Sequence, residues 1–96
     1  MKVMAIATKT AAWTQEQFEK LIPQEAPHTL QLYLDGKIEQ FWFREKVGPI
    51  FLLNVDSLED ARETLHTLPF VAQGLHTYEL MPIAPLAPLG RLSQGK

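Results

Sequence analysis

The chain has 96 residues, of which 46% are hydrophobic and 21% charged, and its formal net charge is −2. These values predict one compact globular domain, and a chain this short often gains stability by forming oligomers. The 9 Lys and Arg residues form no dense basic run, so we expect no nucleic-acid partner. The absence of cysteine excludes disulfides and thiolate metal sites. The N-terminal apolar run is too short to span a membrane, so we expect a soluble, cytoplasmic protein without a membrane partner.

The first predicted elements are a buried strand and a long helix. Residues 3–8 form a short apolar run that fits a strand. Thr14 precedes a helical pattern and has Gln17 three residues later, which is the arrangement of a capping box. The helix is predicted to end at Leu34, because Gly36 just beyond it suits a left-handed C-terminal residue.

Apolar residues within this helix repeat at helical spacing and predict its buried face. That face is predicted to consist of Phe18, Leu21, Ile22, Ala26, Leu30, Tyr33 and Leu34. Pro23 and Pro27 each remove a backbone donor, so we expect a helix that is bent or divided into two pieces. The apolar stripe keeps its phase through both prolines.

The second half of the chain predicts a hairpin, a second helix and a last strand. Residues 38–44 and 50–55 are rich in aromatic and branched side chains and are separated by a short loop. Ser57 caps a helix that Pro69 ends. Residues 75–83 form the last predicted strand. The resulting order of strand, helix, strand, strand, helix, strand is the ferredoxin-like βαββαβ arrangement, an α+β fold with a four-stranded antiparallel sheet.

This predicted domain occupies residues 1–83, and a tail containing proline and glycine follows at residues 84–96. Ile38 and Trp42 are predicted to share one face of the sheet, while Phe41 and Phe43 share the other. Both faces are therefore apolar, although two helices can cover only one of them. We expect a second copy of the chain to cover the other face, which gives a barrel-like homodimer.

The segments Gly36-Lys37, Trp42 and Leu68-Pro69-Phe70 occur in an order and approximate spacing that resemble the muconolactone isomerase-like proteins. The resemblance covers roughly residues 32–83. The segment Pro69-Phe70-Val71-x-x-Gly74 is also similar to the YciI-like proteins. The resemblance implies a dimeric α+β barrel and cofactor-free isomerisation or proton transfer on a small lactone or aromatic-derived acid.

The chain departs from both families at defined positions. The isomerase carries an Arg directly after the Trp, whereas here Phe43 follows Trp42 and the Arg is Arg44. Leu68 stands where the YciI-like proteins carry the Asp of a proposed His-Asp pair, whose His corresponds to His28. Two alternative functions remain open: a cofactor-independent monooxygenase of aromatic compounds, and a non-catalytic module that binds a small molecule or a partner.

Four residues are predicted to bind the substrate. Gln40, Trp42 and Arg44 share one face of the second strand and form a mixed polar and aromatic surface. In an enzyme of the kind that the resemblance implies, Arg44 holds a carboxylate while Trp42 and Tyr33 line the site of a flat ring. In the alternative, Trp42 packs under a helix or a partner and Arg44 pairs with an acidic residue at the strand end.

His28 and Glu79 are the predicted catalytic residues. His28 is a general base if it faces the pocket, and Glu79 on a half-buried strand suits proton transfer next to a carbonyl group. In the alternative, His28 lies on the helix surface and Glu79 pairs with a cation across the strands. Glu63 and His66 have the spacing of two metal ligands on a helix, but one such pair is insufficient for a site. We therefore expect no metal and no cofactor.

Overall fold

A computed structural model describes residues 1–84 of the chain. Its strands are β1 (Lys2–Lys9), β2 (Ile38–Arg44), β3 (Gly48–Asn54) and β4 (His76–Ile83). Its helices are α1 (Gln15–Leu34), α2 (Leu58–His66) and the short α3 (Pro69–Ala72). The strands pair antiparallel in one sheet of order β2-β3-β1-β4. This is the predicted ferredoxin-like α+β fold, and the prediction is confirmed. The predicted tail lies outside the described residues except for Ala84.

The helix boundaries follow from the capping residues that the sequence indicates. The Thr14 hydroxyl accepts a hydrogen bond from the Gln17 N–H at 3.1 Å, and the Ser57 hydroxyl accepts one from the Asp60 N–H at 3.0 Å. Gly36, just past the end of α1, has a φ of +82°, as a left-handed C-terminal residue requires. No helix within residues 1–84 combines the length and the apolar character that crossing a membrane requires.

Helix α1 continues unbroken through Pro23 and Pro27, so of the two predicted forms, bent or divided, the divided helix is wrong. Both prolines lie on the exposed side of the helix. The carbonyl groups that lose their N–H partners therefore face water, which hydrogen-bonds to them in place of the backbone. One continuous helix of 20 residues covers the sheet as a result.

The buried face of α1 differs from the predicted stripe in its second half. Leu30, Tyr33 and Leu34 are exposed, whereas Glu25 and Leu32 are buried. The buried and half-buried residues of α1 recur every three or four positions and define its inward face. They are Phe18, Leu21, Ile22, Glu25, His28, Thr29 and Leu32. The prediction failed here because it assigned burial by apolar character, and the middle of the inward face is polar.

The two faces of the sheet are defined by the strand register. Val3 pairs with Leu53 and Ala5 with Phe51, and these four residues are buried in the core beneath the helices. The side chains between them point to the opposite face, which no helix covers among the described residues. We call this surface the open face; its apolar residues are Met4, Ile6, Trp42, Ile50, Leu52, Met81 and Ile83.

A bulge in β2 changes which residues share a face. Ile38 pairs with Leu53, but Gln40 pairs with Leu52, so the register shifts by one residue between them. Ile38 therefore lies in the core, while Trp42, opposite Ile50, lies on the open face. The prediction that Ile38 and Trp42 share a face is wrong because simple alternation does not account for a bulge.

Candidate functional site

A cavity of about 560 Å³ lies between α1 and the hairpin formed by β2 and β3. Its buried residues, which we call the floor, are Glu25, Gly48, Phe51, Phe70 and His76. Its exposed residues, which we call the rim, are Gln15, Ala26, Leu30, Phe41, Trp42, Phe43, Lys46 and Val47. An apolar cavity of this size with a few convergent polar groups is the usual form of a small-molecule site.

Aromatic rings line one side of the cavity in continuous contact. Trp13 stands 5.9 Å from Phe18, and Phe18 stands 5.3 Å from Phe70, measured between ring centroids. The Phe70 ring meets the His76 imidazole edge-on, with centroids 5.1 Å apart. Trp13 and Phe18 precede and follow the cap of α1, so the same pair that fixes the start of the helix also forms a wall of the cavity.

Glu25 brings a carboxyl group to the floor. It is 5% exposed, and its Oε1 accepts a hydrogen bond from the Phe70 N–H at 2.9 Å. Phe70 lies in the first turn of α3, where the cap residue Leu68 provides no side-chain acceptor. Burial raises the pKa of Glu25, and hydrogen bonds from the Phe70 backbone and the Thr29 side chain oppose that shift. The carboxyl thus both caps α3 and faces an apolar cavity.

His76 brings an imidazole to the same floor. The side chain is 4% exposed, and the edge of its ring formed by Cε1 and Nε2 lies against Gly48. Burial lowers the pKa of His76, and the charge of Lys9 lowers it further. Lys9 is the cross-strand partner of His76, and its Nζ lies 3.8 Å from the centroid of the Trp13 ring. Both effects favour the neutral form of the imidazole.

Tyr78 lies next to His76 beneath the cavity. Its ring stacks on the floor residue Phe51, with centroids 5.7 Å apart and planes inclined by 19°. Burial raises the pKa of the Tyr78 hydroxyl, and the nearby Glu25 carboxylate raises it further. Among the described residues, Tyr78 Oη, His76 Nδ1 and Trp13 Nε1 are buried and make no hydrogen bond. An unpaired polar atom in a protein interior is costly, because it has lost its hydrogen bonds to water.

Gly48 sets the distance between the hairpin and the rest of the sheet. Its φ is +122°, and a Cβ built on it would stand 3.2 Å from the Cβ of Ala7 and 3.8 Å from the His76 ring. Arg44 reinforces this junction, since its Nε donates to the Gly48 carbonyl at 3.1 Å and its Nη2 to the Ala7 carbonyl at 2.6 Å. The Arg44 guanidinium thus connects β2 to β3 and β1.

Of the other predicted substrate-binding residues, Trp42 borders the cavity only at its rim, because its side chain lies on the open face opposite Ile50. Tyr33 is exposed on α1 and contacts Phe41 edge-on, with centroids 5.3 Å apart. Gln40 is exposed on the open face. The structure thus places the side chains of Trp42 and Gln40 on the opposite face of the sheet from the cavity, with Trp42 bordering the rim, and leaves Tyr33 adjacent to that rim.

The two predicted catalytic residues do not lie together. His28 faces α2, where its Nε2 lies 2.8 Å from Thr67 Oγ1. The Thr67 hydroxyl itself donates to the Thr64 carbonyl at 2.6 Å, so His28 is the donor in the contact between them. Glu79 is exposed on the open face, opposite Ile6. The sheet separates these two side chains, and neither lines the cavity.

Sequence reasoning did not select Glu25 or His76. A signal for Glu25 was present, because it continues the helical spacing of Phe18 and Ile22 toward Leu32. Burial of His76 depends on its pairing with β1 and on the position of α3, which no local pattern shows.

Within residues 1–84, no group of three His, Asp or Glu side chains converges in a way that could hold a metal ion. A scan of protein-family models finds no match to the chain, and a search of curated proteins finds none with significant sequence similarity.

Proposed function

We propose that the protein binds a flat, largely apolar small molecule in this cavity and transfers a proton on it, using Glu25 and His76 and no cofactor. The observation that carries the proposal is the burial of a carboxyl and an imidazole at the floor of a cavity that is otherwise mostly apolar and aromatic. Isomerisation of a small lactone or an aromatic-derived acid, the reaction that the family resemblance implies, belongs to this class of chemistry.

The electrostatic environment of the two groups suits acid–base catalysis. The pKa of Glu25 is raised and that of His76 is lowered, so the two values move toward each other. Proton transfer between a side chain and a substrate is most efficient when the pKa of the side chain lies near the working pH. Glu25 is the base in this proposal, and neutral His76 is the partner that hydrogen-bonds to the developing charge.

The walls and the rim supply the binding energy in this proposal. Phe18 and Phe70 offer ring surfaces on which a flat molecule stacks, and Phe41 covers it from the rim. Arg44 holds the hairpin through two backbone carbonyls, so we assign it to positioning the wall of the cavity. Any carboxylate of the substrate is then nearer to Lys9 or Lys46, the cations that line the cavity.

We expect Glu25→Gln and His76→Gln each to lower turnover by about 10²–10⁴-fold, the usual contribution of a general acid or base. Glu79→Gln is the matched control, since it makes the same chemical change on the open face and should leave turnover unchanged. A thermal-shift screen of small lactones, aromatic carboxylates and quinols identifies the ligand, because a ligand that binds the folded state raises Tm.

Turnover that is lost in Glu79→Gln and retained in Glu25→Gln would overturn this assignment and favour the prediction from sequence. Oxygen consumption with a quinol, in place of proton exchange, would assign the same cavity to cofactor-independent monooxygenation. Ligand binding without any turnover would indicate that the protein is a non-catalytic binding module.

We further propose that the open face pairs with the open face of a second copy to form a homodimer. Met4, Ile6, Ile50 and Leu52 form a half-buried apolar strip along its central strands. Trp42 is 45% exposed beside them. An antiparallel sheet that faces water carries polar residues at such positions, and two-fold pairing lets one apolar patch cover its own copy.

Light scattering at micromolar concentration should give twice the mass of the chain for the wild type and the mass of one chain for Leu52→Glu. The new carboxylate would be buried without a partner in the dimer, which is strongly unfavourable. Leu30→Glu is the control, because Leu30 is exposed on α1, away from the open face. A wild-type protein that is strictly monomeric in this concentration range would contradict the proposed dimer.

A further inference from the structure

We infer that the floor of the cavity selects an uncharged ring compound that carries a hydroxyl group, such as a phenol or an enol, and rejects a carboxylate at that position. This inference rests on the proposed binding function and adds to it the charge and the orientation of the ligand. The hydroxyl lies against Glu25, and the remainder of the ring extends toward the rim.

The charged groups that line the cavity differ in how deeply they are buried. The carboxyl group at the floor belongs to Glu25, which is buried. The two lysines that line the cavity are Lys9, which is half-buried beside Trp13, and Lys46, which is exposed on the hairpin. An anionic group therefore meets repulsion at the floor and attraction near the lysines, and the low dielectric of the floor strengthens the repulsion there.

Arg44 does not change this distribution. Its Nε and Nη2 donate to the Gly48 and Ala7 carbonyl groups, which fixes the guanidinium at the strand junction. Arg44 does not line the cavity, so binding a carboxylate there would require the guanidinium to leave this junction and both carbonyls, and Ala7 is fully buried. The loss of a hydrogen-bond partner in the interior opposes that movement.

Glu25 has acceptor capacity beyond the bond that it makes to α3. The carboxyl accepts the Phe70 N–H and a hydrogen bond from the Thr29 side chain, while a carboxylate as a whole offers about four acceptor positions. A hydroxyl donor from a ligand would form a charge-assisted hydrogen bond with one of the remaining positions. The neighbouring rings of Phe51 and Phe70 present apolar surface to the rest of a flat ligand. Hydrogen-bond donation and ring stacking are thus available together at the floor.

Three ligands with one ring system test the inference: naphthol, its methyl ether methoxynaphthalene, and naphthoate. We expect naphthol to bind about tenfold or more tightly than the ether, which lacks the donor, and more tightly than naphthoate, which carries the excluded charge. Dissociation constants are measured by titration calorimetry at several pH values from about 6 to about 8, because burial raises the pKa of Glu25 and its ionised form is favoured at the upper end of this range.

The same series on Glu25→Gln assigns the selectivity to this carboxyl. Gln keeps an acceptor for the Phe70 N–H but removes the charge, so naphthol should lose most of its advantage while naphthoate binds more tightly than it does to the wild type. The affinities for the two ligands should thus change in opposite directions, whereas damage to the fold would weaken the binding of both. Glu79→Gln, the matched control, should reproduce the wild-type order. The wild-type series also stands alone as a test if Glu25→Gln does not fold.

Equal binding of all three ligands, or tightest binding of naphthoate, would overturn the inference while leaving the proposed small-molecule cavity in place. An unchanged order in Glu25→Gln would also overturn it, because the selectivity would then arise elsewhere. Failure of all three to bind, together with a ligand screen that gives no thermal shift, would refute the proposed function itself.

Discussion

Replacing Leu53 with alanine should lower the free energy of unfolding by about 2–5 kcal/mol. Leu53 is completely buried on β3, where it pairs with Val3 on one side and Ile38 on the other. Removal of its isobutyl group leaves a cavity between the sheet and the helices, and flanking strands held by hydrogen bonds cannot collapse far into it. Urea unfolding followed by circular dichroism measures the change.

The matched control is Leu52→Ala at the adjacent residue on the open face. Leu52 is half-buried, so its truncation should destabilise an isolated chain by less than the Leu53 change. In a dimer that buries the open face, the same substitution should also make unfolding more sensitive to protein concentration. Equal losses for both variants at a concentration where the protein is monomeric would contradict the assignment of the two faces.

The Glu25 carboxyl should have the second-largest effect, and its contribution should depend on pH. Glu25→Ala leaves the Phe70 N–H without its acceptor, at a cost of about 1–3 kcal/mol. Burial raises the pKa of Glu25, so the folded protein binds this proton more tightly than the unfolded chain does. The resulting stabilisation is complete below the unfolded pKa and is lost as the pH rises through the folded pKa. Glu25→Gln should remove this pH dependence.

His76 should change stability in the opposite direction. Its pKa is lowered by burial and by Lys9, so the folded state favours the neutral imidazole. The stabilisation from this group is present above its unfolded pKa and is lost as the pH falls through its folded pKa. The two effects partly offset each other in mildly acidic solution, and only the single variants Glu25→Gln and His76→Gln separate them.

Urea titrations from about pH 4 to about pH 8 measure both contributions, as the difference between the wild type and each variant at every pH. Glu63→Gln serves as the control, because Glu63 is exposed on α2, away from both the cavity and the open face that the proposed dimer buries. A constant difference between wild type and Glu25→Gln across the range would show that this carboxyl does not change its pKa on folding.

The architecture could be predicted from sequence because its signals are local. Thr14 and Ser57 start the helices by capping their first turns, and Gly36 ends the first of them, each through its own backbone neighbours. The strands follow from runs of branched and aromatic residues. Their order then follows from the small number of ways in which two helices and four strands can bury one core.

The site could not be predicted in the same way, because its residues come together through tertiary contacts. Glu25 is polar, so a search for apolar periodicity assigns it to the solvent side of the helix, although its carboxyl accepts a hydrogen bond from α3. The bulge after Ile38 moves Trp42 to the other face of the sheet, which no propensity scale indicates. The role of Arg44 depends on the Ala7 carbonyl, 37 residues away in the chain.

Gly48 limits how this cavity could change during evolution. A side chain at that position would press on Ala7 and approach His76, and it would also require a backbone conformation that most residues avoid. Phe43 and Val47, in contrast, are exposed on the same hairpin at the rim of the cavity, and their backbones have no positive φ that would restrict the choice of side chain. In related proteins that bind a different ligand, we therefore expect substitutions among the rim residues and the same residues at the floor.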